Sequence, residues 1–241
     1  MRVLAIVHQP DAGPGVFADA VQDRGAELDS WLIAETESPP GTPASYDAVL
    51  IFGGAMHADQ EDSHPWLNDE KSLLADLLSR EVPLLGVCLG AQLVAEAAGG
   101  RAERLREPEI GWYDVALTEA GAGDPVVGSL GPTFCGFQWH SYGIELPAEA
   151  TTLAQSPLCL QAYRIGQAAW GIQFHAEVSA TDADHWIDDY RSDEDAVRVG
   201  LDPERLRGET RRRIAAWNDL GREICARFLA AAGADGAARA G

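Results

Sequence analysis

Lysine is almost missing from this sequence. Lys71 is the only one, and every other basic side chain is Arg. Acidic residues outnumber basic ones 38 to 18, which leaves a formal net charge of −20. A surface of that sign repels phosphate backbones and anionic headgroups, so neither nucleic acid nor a membrane surface is expected as a partner. No Gly-rich loop runs into Lys-Ser or Lys-Thr, which excludes a P-loop nucleotide site. Cysteine is scarce too: Cys88, Cys135, Cys159 and Cys225 are widely spaced and form no Cys-x-x-Cys pair. No apolar run is long enough to span a bilayer, and the strand-like Val3–Val7 begins without a signal-peptide pattern before it. The expectation is a soluble, cytoplasmic, reduced protein that needs no metal and no cofactor.

What the sequence does have is alternation. Val3-Leu4-Ala5-Ile6-Val7, Leu28–Ile33, Ala48–Phe52 and Pro83-Leu84-Leu85 read as strands. Val16–Asp23, Trp66–Arg80 and Leu89–Ala98 read as helices, the second with Leu67, Leu74, Leu77 and Leu78 at helical spacing. The order β-α-β-β-α-β-α predicts an α/β fold, a mostly parallel open sheet flanked by helices. After Gly100 the pattern becomes that of an antiparallel strand extension: Trp112–Leu117, Phe134–His140, Thr151–Ala154, Leu158–Ile165 and Ala169–Phe174, the last two joined by a hairpin at Gly166. A helix over Ala180–Tyr190 follows, and another opens at Asp202-Pro203 with Leu206, Ile214, Trp217, Ile224 and Phe228 as its buried stripe. With no linker and no repeat, residues 1–230 are expected to form one domain, and the Ala/Gly-rich 231–241 a disordered tail. Asp184/Asp188 and His185/Asp189 sit at i,i+4, but nothing else converges on them, and a solvated helix face is the simpler reading.

Three stretches carry chemistry. In Gly86-Val87-Cys88-Leu89-Gly90-Ala91-Gln92 a cysteine sits at a strand-to-helix turn with glycine two residues to each side. That is the nucleophile-elbow pattern written with sulfur. The turn strains the backbone of the nucleophile, and the following helix aims N–H groups and the positive end of its dipole at the sulfur. A small buried core cysteine would give the same short motif. In Gly171-Ile172-Gln173-Phe174-His175-Ala176-Glu177, an extended chain would put His175 and Glu177 on one side, so that Glu177 could orient the imidazole of a Cys–His dyad. An ordinary core histidine beside a surface glutamate would look no different. In Phe52-Gly53-Gly54-Ala55-Met56, two glycines end a parallel strand at the edge where open α/β sheets bind ligands. Each signal is weak alone. All three at the ends of neighbouring strands make coincidence the poorer explanation.

Taken with Pro65-Trp66-Leu67, Glu109-Ile110-Gly111-Trp112 and Phe137-Gln138-Trp139-His140, these stretches resemble a class I (triad) glutamine amidotransferase domain, close to the stand-alone relatives of the amidotransferase half of GMP synthase. The resemblance runs from the first strand to about residue 190 and implies a flavodoxin-like fold. It implies Cys88 as nucleophile towards the γ-carboxamide of glutamine or another γ-glutamyl substrate, His175 as base and then acid, and Glu177 as its orienter. It implies an oxyanion hole from the N–H groups of Gly54 and Leu89, and a substrate pocket bordered by Gly53, Gln92, Trp139, His140, Ser141 and Tyr142. A separate ammonia-accepting synthase subunit is the implied partner, because the chain has no Ser-Gly-Gly-Val-Asp-Ser-like loop of an ATP pyrophosphatase half. The family often carries an acid two positions after the histidine of Trp-His, and Tyr142 stands there instead.

Two other functions compete with that of a glutaminase subunit. A free-standing γ-glutamyl hydrolase would use the same triad on peptides or conjugates. A non-catalytic binding module of the same fold would be free to lose triad residues, and here all three are present. A dienelactone-hydrolase-like enzyme also uses a cysteine elbow, but in the chain order Cys, Asp, His, which this sequence does not follow.

Overall fold

The first strand is apolar on both of its faces, and both faces are covered. The computed structural model describes residues 1–36 and 38–239. In it, β1 (Arg2–Val7) sends Val3, Ala5 and Val7 into one hydrophobic cluster and Leu4 and Ile6 into another. Double-sided burial is the signature of a central parallel strand covered by helices on each side. The chain continues as α1 (Val16–Asp23), β2 (Glu27–Leu32), β3 (Ala48–Ile51), α2 (Trp66–Ser79), β4 (Leu84–Val87) and α3 (Leu89–Ala97), in the order the alternation predicts. Then come β5 (Arg101–Leu117), α4 (Glu119–Ala122), β6 (Thr133–Glu145), β7 (Ala150–Gln155), β8 (Leu160–Ile165) and β9 (Ala169–Ile172). The chain closes with α5 (Ala180–Asp188), α6 (Glu194–Arg198) and α7 (Pro203–Arg239).

All nine strands join one sheet in the order β2-β1-β3-β4-β9-β8-β7-β5-β6. Pairing is parallel from β2 across to β9 and antiparallel from β9 to β6. The ribbon of β5 and β6 is longer than sequence periodicity suggests. Arg101↔Glu145 and Arg104↔Tyr142 extend it past the expected Trp112 and His140. Its far end is charged and largely exposed, so it lacks the apolar alternation that marks a strand.

Helix α7 buries Leu206, Ile214, Trp217, Ile224 and Phe228 as expected, each such side chain contributing about 1.5–3 kcal/mol through the apolar surface it removes from water. It carries on through residues the sequence assigns to a tail, as far as Arg239, and 240 and 241 lie outside the described residues. No helix among the described residues is long and apolar enough to cross a membrane.

Register places the site. Ile51 of β3 pairs with Gly86 of β4, and Gly86 pairs with Gly171 of β9. The segments that follow these three strands, with Gly53, Cys88 and His175, therefore leave the sheet side by side at its carboxyl edge.

Candidate active site

Cys88 stands between β4 and α3 with φ +52° and ψ −111°, a sparsely populated backbone conformation that costs a side-chain-bearing residue about 1–3 kcal/mol. The surroundings over-determine it. Its N–H donates to the carbonyl of Ile172 (2.9 Å), and its own carbonyl accepts the N–H of Gln92 in the first turn of α3 (3.0 Å). The helix then passes so close to β3 that a methyl on Gly90 would lie 2.2 Å from the Ile51 carbonyl oxygen. Glycine at 90 is what lets the turn close. The buried sulfur thus sits at the N-terminus of α3, where unpaired N–H groups and the helix dipole favour negative charge. The thiol donates weakly to the Trp139 carbonyl at 3.8 Å.

His175 and Glu177 meet as expected, but for a different reason. β9 ends at Ile172, and the chain over 173–178 is bent rather than extended. Strand alternation does not bring the pair together; the bend does. Nδ1 of His175 lies 2.7 Å from Glu177 Oε1. Burial by itself would lower the imidazole's pKa, but the facing Glu177 carboxylate and Cys88 sulfur outweigh it and push it up to about 10. Trp186 closes on the ring edge-to-face, with centroids 4.8 Å apart. A methyl on Gly53 would lie 3.0 Å from His175 Cε1 and 3.6 Å from Cys88 Cβ, a measure of how tightly the three stretches converge.

Around them opens a cleft of about 510 Å³, in the range of small-molecule sites. Gly54, Cys88, Leu89, Gln92, Trp139, His140, Ser141, Tyr142 and His175 line it, so the structure gathers nearly every residue the sequence singled out. Gly53 lies directly behind the cysteine, and Glu177 behind the histidine. Among the described residues no protein acceptor takes the N–H of Gly54 or of Leu89. Such an arrangement offers a nucleophile, a proton carrier and free donors at one point, the set that acyl transfer requires.

Residues 16–189 match the family model for glutamine amidotransferase class-I. The chain belongs to that family. It is 30% identical over 181 residues to YfeJ, a glutamine amidotransferase-like protein of Salmonella typhimurium, a match covering 73% of this chain and 76% of the relative. It is 38% identical over 156 residues to one subunit of the glutamine-hydrolyzing GMP synthase of Halobacterium salinarum, covering 62% of this chain and 76% of that one. The fold superposes on the crystal structure of a glutamine amidotransferase from Thermotoga maritima with a TM-score of 0.85 at 29% identity, over 95% of this chain and 98% of that one.

Within this amidotransferase fold, several pocket residues are themselves held by neighbours that sequence alone did not supply. Both ring nitrogens of His140 are engaged, Nδ1 with the Tyr142 carbonyl (2.9 Å) and Nε2 with the buried Glu109 (3.1 Å). The ring therefore anchors the segment from Trp139 to Tyr142. Glu109, His140 and Cys159 form a group with metal-ligand spacing. Hydrogen bonds from Gln161, His140 and Cys159 already converge on Glu109 Oε2, so the cluster is internally satisfied at that oxygen. Gln92 is tied to Gln173 at 3.3 Å. The Tyr142 hydroxyl donates to Asp59 (3.1 and 3.0 Å) and its ring stacks on His57, centroids 4.4 Å apart. The tyrosine thus lines the cleft while its hydroxyl is engaged by an exposed carboxylate.

The segment Asp189–Asp195 also lines the cleft, with Asp193 accepting from Trp139 Nε1 at 2.8 Å. Its sequence is a run of surface-type polar residues, and no local signal marks it as pocket. Asp184 and Asp188 are both taken by Arg207, at 2.6 Å each.

Proposed function

We propose that this amidotransferase hydrolyses the γ-carboxamide of glutamine to glutamate and ammonia, and passes the ammonia to a separate synthase. The reading rests on one observation: Cys88, strained at the N-terminus of α3, faces an imidazole that Glu177 holds at 2.7 Å and whose pKa is raised. The Cys88 thiolate attacks the substrate carbonyl carbon, a C–S bond forms, and the carbonyl π pair moves onto oxygen. In this reading the N–H groups of Gly54 and Leu89 receive that oxyanion. As the carbonyl re-forms, the C–N bond breaks and His175 gives its proton to the departing nitrogen. Water then attacks the γ-glutamyl thioester while His175 takes its proton, and the thiolate leaves.

The other cysteines are poorer nucleophiles. Burial, reinforced at Cys159 by Glu109, pushes the Cys159 and Cys225 thiols up to about 12, and burial raises Cys135 as well. The test is mass spectrometry after treatment with 6-diazo-5-oxo-norleucine, a glutamine-mimicking electrophile. One adduct is expected, on Cys88, with Cys88→Ala inactive. Full activity in that variant, or labelling elsewhere, would overturn the assignment. A second reading, a free-standing hydrolase of γ-glutamyl peptides or conjugates, is favoured by Tyr142, which lines the cleft.

A further inference from the structure

Behind the Gly53-Gly54 loop lies a buried pair that the chemistry above does not use. His8 follows β1, and Glu70 stands on the apolar face of α2 between Leu67 and Leu74; neither side chain has any exposed surface. His8 Nε2 lies 3.0 Å from both Glu70 oxygens, and Nδ1 lies 3.1 Å from the carbonyl oxygen of Gly53. Trp66 stacks on the ring at 5.4 Å and 16°.

Both partners of this imidazole are acceptors, and a neutral imidazole has one N–H. The pair therefore carries one proton more than a neutral histidine and a carboxylate would. Burial by itself would lower the pKa of His8, but Glu70 outweighs it and raises it. Desolvating such a pair is costly, and apolar residues would fill the space more cheaply. The next side chain grips the same loop. Gln9 accepts the N–H of Ala55 through Oε1 at 2.6 Å, and its amide nitrogen donates to Asp11 at 2.8 Å. Consecutive residues thus hold the peptide on each side of Gly54. In a trans peptide the C=O and N–H point in opposite directions. With the Gly53 carbonyl drawn back to His8, the Gly54 N–H is turned away from it, and Gly54 lines the cleft beside Cys88 and Leu89.

We propose that His8, held by Glu70, is a positioning residue that fixes the Gly53-Gly54 peptide with its N–H presented to the substrate oxyanion, Gln9 fixing the following peptide. The inference rests on the reaction proposed above, which needs that N–H as a donor.

Asparagine can place an N–H where Nδ1 stands, and leucine has nearly the same shape without one. His8→Asn and His8→Leu are therefore compared, each combined with Glu70→Gln so that no buried carboxylate loses its partner. With glutamine as substrate, the leucine variant is expected to lose about 100-fold in kcat with KM little changed, and the asparagine variant to recover most of that loss. Alkylation of Cys88 by iodoacetamide develops no oxyanion and is expected to run at the same rate in both. A folded leucine variant with wild-type kcat would overturn the proposal, as would equal kcat in the two variants. If the leucine variant does not fold, His8→Gln replaces it, since its amide lies one bond further out, and equal kcat for His8→Asn and His8→Gln then overturns the proposal. Cys88→Ala is run alongside. Activity there refutes the nucleophile itself, whereas an inactive Cys88→Ala beside fully active His8 variants refutes only the role of His8.

Discussion

Three histidines in this protein are each paired with a carboxylate: His8 with Glu70, His140 with Glu109 and His175 with Glu177. Only the last faces the sulfur. His175→Ala is expected to lower kcat by about 10³-fold or more, because it removes the proposed proton carrier. His140→Ala releases the Trp139–Tyr142 segment and removes one of the three donors on the buried Glu109, so it should raise KM and cost about 1–3 kcal/mol of stability; steady-state kinetics and a melting curve check both. Reversal of the two kinetic effects would show the base to be misassigned. The raised pKa of His175 has a definite sign. The stability it contributes is complete below the ordinary imidazole pKa and is lost as pH rises through about 10. The proton lost there is the one the leaving nitrogen needs in the proposed reaction, so kcat/KM should fall over the same range. Glu177→Gln removes the larger of the two attractions and should move this alkaline limb to lower pH, with kcat between those of wild type and His175→Ala. A profile of kcat/KM from about pH 6 to about pH 11 reads the shift; a limb that does not move would mean that Glu177 does not set the proton affinity.

One element, α7, holds the bend that carries the His175–Glu177 pair without lining the cleft. Trp217 Nε1 donates to the His175 carbonyl (2.8 Å), Asn218 donates to that of Val178 (2.7 Å), and a methyl on Gly221 would lie 2.0 Å from that of Ala176. From the other side the Val16 N–H donates to the Glu177 carbonyl at 2.8 Å. Glycine inside a helix costs about 1 kcal/mol relative to alanine, so Gly221→Ala gains that much and loses about 1–3 kcal/mol to overpacking. The expected result is a lower melting temperature together with a lower kcat at nearly unchanged KM. Gly208→Ala, in the same helix with only the Arg212 side chain at 3.7 Å, should raise the melting temperature. If both variants gain stability, α7 does not clamp the bend. This is also where sequence and structure part. The elbow around Cys88, the doubly buried strands and the stripe on α7 follow from local periodicity and glycine spacing, and all three were legible. The bend at 173–178 depends on contacts made some forty residues later in the chain, which no local pattern encodes. Glu70 left a readable sign, a charge in the middle of the stripe Leu67, Leu74 and Leu77, and His8 left another by following a buried strand directly. The lining segment Asp189–Asp195 left none.

For the molecule as a whole, the Gly53-Gly54 loop bears on how far activity depends on a synthase. A subunit that depended wholly on its partner would leave the oxyanion loop to be built by docking. Here residues of the same chain, His8 and Gln9, already hold that loop. The isolated protein is therefore expected to hydrolyse glutamine without a partner, and a synthase should raise the rate by closing the cleft rather than by forming the hole. Substrate choice is a separate matter, set at the rim. Tyr142 stacks on His57 and donates to the exposed Asp59, while Arg104, which lines the cleft, lies 5.9 Å from the tyrosine ring. The measurement is kcat/KM for glutamine and for γ-glutamyl dipeptides with the purified chain alone. Glutamine is expected to be the better substrate, and Tyr142→Asp to sharpen that preference by placing the acid directly on the rim. A preference for dipeptides of about tenfold, or roughly 1.4 kcal/mol in transition-state binding, would overturn the glutaminase reading in favour of the free-standing hydrolase. In that case Tyr142→Asp should reverse the preference towards glutamine, because the tyrosine would then be what admits the larger substrate.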